Sequence, residues 1–175
     1  MLAILIAAGI ALVLAAGVVS FAARIRGRHR RFLQAQPPPA PPDAPRLIDQ
    51  PQALYHGTRF ADGTALLASA WKEPCVCDVW CTAEALFIRR ESQGPLLWVA
   101  HGEVIEAALR RAFAPIAGKE LPMLALRWRR GGELMATDLS LRGGIASLEA
   151  LRREIHLRQG NVAEQLAPLL ARTPE

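Results

Sequence analysis

The sequence predicts a mainly β protein. It reads as a small β-sandwich or barrel, capped by a C-terminal α-helix and preceded by one N-terminal transmembrane helix. Three observations carry this reading. Residues 1–23 contain no charged side chain and no histidine. Six prolines between residues 34 and 45 then separate that segment from the rest. Beyond them, apolar residues recur first at every second position and, after Gly143-Gly144, at helical spacing. A chain of 175 residues has room for one compact domain plus an appendage and excludes a large multidomain enzyme.

The first segment is rich in Ala, Leu, Ile, Val and Gly. As a helix it is about 34 Å long, enough for a ~30 Å hydrocarbon core. Backbone polar groups in lipid must be satisfied internally, so a single span has to be helical. Nothing basic precedes the apolar run, so it reads as a retained anchor rather than a cleaved secretory signal. Arg24, Arg26, Arg28, Arg30 and Arg31 follow at once. The positive-inside rule therefore puts the N-terminus outside the cell and the remainder in the cytoplasm, with the cell membrane as address. The same five arginines are the candidate contacts for anionic lipid headgroups.

Residues 1–46 hold six arginines and one acid, Asp43, and so carry the whole net charge of +5. Residues 47–175 hold 15 basic and 15 acidic side chains. A balanced domain has no sequence-level reason to seek nucleic acid. Residues 24–33 form the basic juxtamembrane segment. Residues 34–50 form a linker whose prolines favour extended polyproline II, which makes it a spacer holding the domain off the bilayer.

The domain is expected over residues 51–160. Cys75 to Thr82 alternates, with Cys75, Cys77, Val79 and Cys81 on one face and Val76, Asp78, Trp80 and Thr82 on the other. Ala85 to Glu91 reads as a strand, Gln93-Gly94-Pro95 as a turn, and Leu96 to Ala100 as a short apolar strand. Ile105 to Phe113 is open: its composition favours helix, its position between strands favours strand. Leu121 to Arg130 and Glu133 to Arg142 form a hairpin about Gly131-Gly132. Leu124, Leu126 and Trp128 share a face of the first arm, and Met135, Thr137, Leu139 and Leu141 one of the second. Alternation turns Arg127 and Arg129 to solvent. Ile145, Leu148, Leu151 and Ile155 then line a helical face, with Ser147 as a possible cap and Glu149/Arg153 and Glu154/Arg158 as i,i+4 pairs. Gly160 ends that helix, and residues 161–175 form a short helical tail carrying Leu166, Leu169 and Leu170.

Certain short motifs carry a resemblance. They are Tyr55-His56-Gly57-Thr58, Ile116-Ala117-Gly118-Lys119, and Leu126-Arg127-Trp128-Arg129-Arg130-Gly131 leading to Thr137-Asp138 and Arg142. With the anchor, they resemble a family of actinobacterial membrane proteins with a pleckstrin-homology-like (PH-like) domain, often labelled export or transporter proteins. The resemblance covers roughly residues 54–158. It implies two near-orthogonal sheets capped by a C-terminal helix, and no catalytic activity.

Among reactive residues, Cys75, Cys77 and Cys81 with His101 have the types needed for zinc. Yet no Cys-x2-Cys pair is present, and along a strand the three thiols spread over ~20 Å. They read instead as core positions. His56 and His101 adjoin no nucleophile motif, and no phosphate-binding loop or metalloprotease signature occurs. Gly118-Lys119 reads as a turn, and Glu103 and Glu106 as solvated charges. No cofactor is therefore expected. The sequence reads as a membrane-anchored, non-catalytic binding or scaffolding module with a protein partner. A lipid-headgroup sensor is the alternative, and a metal- or thiol-dependent protein is a distant third.

Overall fold

The computed structural model describes residues 1–35, 44–66, 71–90 and 96–170. Most of the proline run, the turn expected at Gln93-Gly94-Pro95 and the last five residues lie outside the described residues. A 33-residue helix, α1 (Leu2–Gln34), comes first. Seven strands follow: β1 (Ile48–Phe60), β2 (Cys75–Cys81), β3 (Ala85–Arg90), β4 (Leu96–Ala100), β5 (Val104–Ala114), β6 (Lys119–Arg130) and β7 (Glu133–Ser140). A 3-10 turn, His101–Glu103, joins β4 to β5, and helix α2 (Gly144–Leu170) ends the order.

All strand pairs are antiparallel, and the strands make one sheet in the order β4-β3-β2-β1-β7-β6-β5. The resemblance implied two sheets; hydrogen bonding instead runs unbroken across all seven strands, because β1 serves both halves. Its first part pairs with β2 from Ile48↔Cys81 to Tyr55↔Cys75. Its last part pairs with β7 from Leu54↔Ser140 to Phe60↔Met135. Register breaks between Gln50 and Ala53 and between Tyr55 and Thr58 let one strand bend from one partner to the other.

No strand is legible in the sequence at β1, because Pro51 and Gly57 interrupt its alternation. Both sit at irregularities. Gly57 has φ +102°, and a Cβ there would come within 2.6 Å of the Lys72 carbonyl oxygen. The close approach is real structure: the next amide, Thr58 N–H, donates to the Trp71 carbonyl at 2.7 Å. Gln52, at φ +57°, is the one non-glycine with positive φ among the described residues.

One face of the sheet curls about a single core. Ala53, Tyr55, Val79, Leu86, Ile88, Leu97, Leu124, Leu126, Trp128, Met135 and Leu139 are all buried in it. Helix α2 adds Leu148, Leu151 and Ile155 and rests on β5, β6 and the 3-10 turn. The stripe expected from spacing starts one turn late, since Ile145 is largely exposed. Gly160 does not end the helix, which continues to Leu170. An isolated glycine costs a helix only ~1 kcal/mol relative to Ala, which does not by itself break it. The open segment 105–113 is strand β5: its ladder to β6, from Val104↔Trp128 to Ala114↔Lys119, outweighs its helical composition.

The outer face of β2, β3 and β4 carries a second, smaller cluster. Trp80 stacks on Phe87 with centroids 5.2 Å apart, and Phe87 meets Trp98 at 6.3 Å. The Arg46 and Arg89 guanidinium groups lie 4.8 and 5.0 Å from the Trp80 ring centre, which explains how an outward tryptophan is almost fully covered.

The two kinds of glycine separate cleanly. Gly57→Ala combines a strained φ with overlap on a carbonyl and should lower unfolding free energy by about 1–3 kcal/mol. Gly132→Ala, at φ +78° but in open space, should cost about 1 kcal/mol. Denaturant titration of the full chain in neutral detergent, followed by tryptophan fluorescence, checks the order of the two.

Candidate functional site

Helix α1 does not stop at the end of its apolar run. Residues 24–33, expected as a separate basic segment, continue the same helix. Helical spacing places Arg24, Arg28 and Arg31 (i, i+4, i+7) on one face and sends Arg26 and Arg30 elsewhere. That face meets the domain where β1 ends and the β6–β7 hairpin turns.

Arg28 Nε donates to Glu133 Oε2 at 2.8 Å, and its Nη1 donates to Asp62 Oδ2 at 2.7 Å. Arg31 Nη2 donates to Glu133 Oε1 at 2.6 Å. The Arg28 guanidinium also lies 3.9 Å from the centre of the Phe60 ring. One turn on, Phe32 is fully buried in the domain core and faces Trp128 with ring centroids 6.0 Å apart. Gly131, at φ +57°, lets the helix end come close: a Cβ there would lie 2.9 Å from Ala35 Cβ and 3.0 Å from the Arg31 carbonyl oxygen.

Direct contact therefore joins helix and domain at this point. The linker was expected to be a spacer. Residues 36–43 lie outside the described residues; the chain resumes beside β2, where Leu47 N–H donates to the Cys81 carbonyl at 2.8 Å. Burial tends to raise the Glu133 carboxyl, yet the hydrogen bonds from Arg31 and Arg28, with their charges, outweigh it and hold it below the usual range. The Asp62 carboxyl is lowered to about 2, first by the Thr64 backbone N–H and then by Arg28. Both acids are ionised at neutral pH.

Above the clamp the two surfaces part into a cleft of about 520 Å³. Phe21, Arg24 and Ile25 line its helix side, and Asp62, Thr64 and Glu133 its domain side. Of the five predicted lipid-contact arginines, three are brought to this place. Arg28 and Arg31 are consumed by the domain's carboxylates. Arg24, Arg26 and Arg30 have no ion-pair partner among the described residues, and only Arg24 of these faces the cleft.

The reactive side chains lie elsewhere. Cys77 and Cys81 are buried, and burial pushes both thiols up to about 12. Cys81 meets His101, with Sγ 3.6 Å from Nε2. That nitrogen is also 3.0 Å from the Thr82 carbonyl oxygen, so it carries the proton and donates there. The pair is a neutral thiol beside a neutral imidazole. Among the described residues no three His, Cys, Asp or Glu side chains group closely enough to hold a metal ion.

A Ser-His-Asp set that sequence reading did not find occurs on the outer face of β1 and β7. His56 Nε2 is 3.0 Å from Ser140 Oγ, but Ser140 donates to the Pro122 carbonyl at 2.9 Å, so His56 must be the donor. Asp138 is held at 2.8 Å by both Arg59 and Arg110. A serine that receives a hydrogen bond from histidine is not being activated by it, and the aspartate is engaged otherwise. Glu103, expected to be solvated, binds the buried Arg130, whose Nε donates to Oε1 at 3.0 Å. All these partners lie 18 to 84 residues apart, which no local motif could reveal.

Two predictions follow from this chemistry. Phe32→Ala should cost about 3–5 kcal/mol, and Glu133→Ala about 1–3 kcal/mol, each loosening α1 from the hairpin; spin-label distances between residues 26 and 129 would broaden. The imidazoles of half-buried His56 and buried His101 lie below their ordinary value of 6.5, chiefly through desolvation. Their folded-state pKa is thus below the unfolded one, so the unfolded chain takes up more protons. Stability should be full above pH 6.5 and fall as pH drops below it. Unfolding midpoints at pH 7.5 and 5.5 test this, with His101→Phe expected to flatten the slope.

Compared with known proteins, the chain matches no family model and no curated sequence.

Proposed function

We propose that this chain is a single-pass protein of the cell membrane, with its N-terminus outside. In this reading a PH-like domain is presented in the cytoplasm as a non-catalytic binding or scaffolding module for another protein. The observation that carries it is the junction. An apolar helix, exposed from Gly9 to Phe21 and long enough to cross a bilayer, runs without a break into a domain that buries its end at Phe32. A domain fixed to its anchor in this way has a set orientation to the membrane, which suits presentation of a surface. The strand order β4-β3-β2-β1-β7-β6-β5, closed by a helix after the last strand, supports the PH-like part.

The partner surface lies at the other end of the domain. Seven residue steps along β7 separate Glu133 at the junction from Ser140, about 23 Å at strand rise. There a depression of about 350 Å³ has Leu54, Leu121 and Leu141 within it and Lys119 and Arg142 among its lining. An apolar floor with two cations facing the cytosol suits a protein segment carrying an acidic residue beside an apolar one.

A C-terminal tag on the full chain should be protected from added protease in intact cells and cleaved after permeabilisation. A tag cleaved in intact cells would overturn the topology. Crosslinking of the anchored chain in its own membranes should capture a protein that Lys119→Glu and Leu121→Glu variants no longer capture.

A further inference from the structure

We propose that the cleft between α1 and the domain is a binding site for the phosphodiester of a membrane lipid headgroup, gripped by Arg24. The inference rests on the anchoring proposed above and names a ligand for the junction itself.

The first observation is position. Ala23 is the last residue of the uncharged run, and Phe21, Arg24 and Ile25 form the helix wall of the cleft. From Arg24 to Arg28 a helix rises about 6 Å. That lies within the depth of one polar layer of a bilayer, ~5–8 Å. With the apolar run in the hydrocarbon, the cleft opens at headgroup level.

The second observation is charge. Arg24, Arg28 and Arg31 supply three positive charges to the cleft, and Asp62 and Glu133 supply two negative ones. The carboxylates are occupied by Arg28 and Arg31 at 2.6–2.8 Å. Arg24 alone is left over, so the cleft has a deficit of one negative charge. A lipid phosphodiester carries one. The guanidinium fork can donate two parallel hydrogen bonds to its free oxygens.

The third observation is the wall material. Phe21 is exposed and Ile25 half-exposed, and both flank Arg24 on the helix. They offer apolar surface to the glycerol and first methylenes of a lipid, which a free phosphodiester does not have. The lipid is therefore the source of the group. The domain supplies the opposite wall, so the site exists only while the domain is docked. It differs in this from the diffuse attraction of a basic segment to an anionic surface, which would use all five arginines alike.

The test uses the full chain in neutral detergent micelles and native mass spectrometry to read bound lipid. Dihexanoyl phosphatidylglycerol should be retained, and Arg24→Gln should weaken retention roughly tenfold, as loss of a charge-assisted pair implies. Arg26→Gln and Arg30→Gln remove the same charge from other faces and should leave it within about twofold. Arg24 has no ion-pair partner among the described residues, and an unchanged tryptophan spectrum confirms that Arg24→Gln is folded. Equal losses in all three variants, or no loss in Arg24→Gln, would overturn the site. Glycerophosphoglycerol, the same headgroup without acyl chains, should bind at least tenfold more weakly; equal binding would overturn the lipid as its source. Flotation of each variant with membranes reads anchoring separately. A chain that floats but releases lipid unchanged loses this inference alone, and a chain that fails to float loses the anchoring.

Discussion

Strand β1 is hydrogen-bonded on both edges, to β2 along its first half and to β7 along its second, and the change of partner requires a bend. The bend is secured by buried polar groups. Tyr55 donates to the Trp71 carbonyl at 2.5 Å and lies 2.6 Å from Thr58 Oγ1. The Thr58 and Thr137 hydroxyls are 2.7 Å apart, and Trp128 Nε1–H donates to Thr137 Oγ1 at 3.0 Å. Each such bond stabilises by only about 1 kcal/mol net, but an unmade one in the core costs more. The chain therefore acts chiefly by specification: it forbids other registers of β1. It also fixes Trp128, and Trp128 is the ring against which α1 seats Phe32. The bend in one strand thus reaches to the end of the apolar helix α1.

Charge is used locally. The net +5 belongs to the N-terminal quarter, and the structure divides those arginines by helix face. Arg28 and Arg31 turn inward to two acids of an otherwise balanced domain. Exposed ion pairs stabilise little, but Glu133 is mostly buried and shared by two guanidinium groups, and beside it an aromatic ring is withdrawn from water. Hydrophobic burial of Phe32 provides the larger part of the docking energy, and the ion pairs set its rotation about the helix axis.

The groups that suggest chemistry are kept from it by their surroundings. The thiols of Cys77 and Cys81 stay protonated because burial disfavours their charged form. His56 donates a hydrogen bond to Ser140 rather than accepting one, and Asp138 is bound by two arginines. Residue type alone would have made an active site of these three. The direction of the hydrogen bonds makes them a brace between β1 and β7.

The sequence by itself determined the apolar span, the localisation of charge, the β2 and β6–β7 alternation and the apolar stripe of α2. Each is a periodicity or a count, and local geometry imposes both. It also sent Trp128 inward and Arg127 and Arg129 outward, as found. Strand β1 was hidden because its bulges break the alternation that reveals strands, and the helical composition of residues 105–113 could not weigh a ladder it did not contain. The candidate site was legible only as five arginines. That Arg28 and Arg31 would be spent on Asp62 and Glu133, up to 105 residues away, and Arg24 left facing a cleft, was decided by tertiary structure. Ion pairs and burial depend on distance in space, and the chain fixes that distance only when β1 bends and the helix end enters the core.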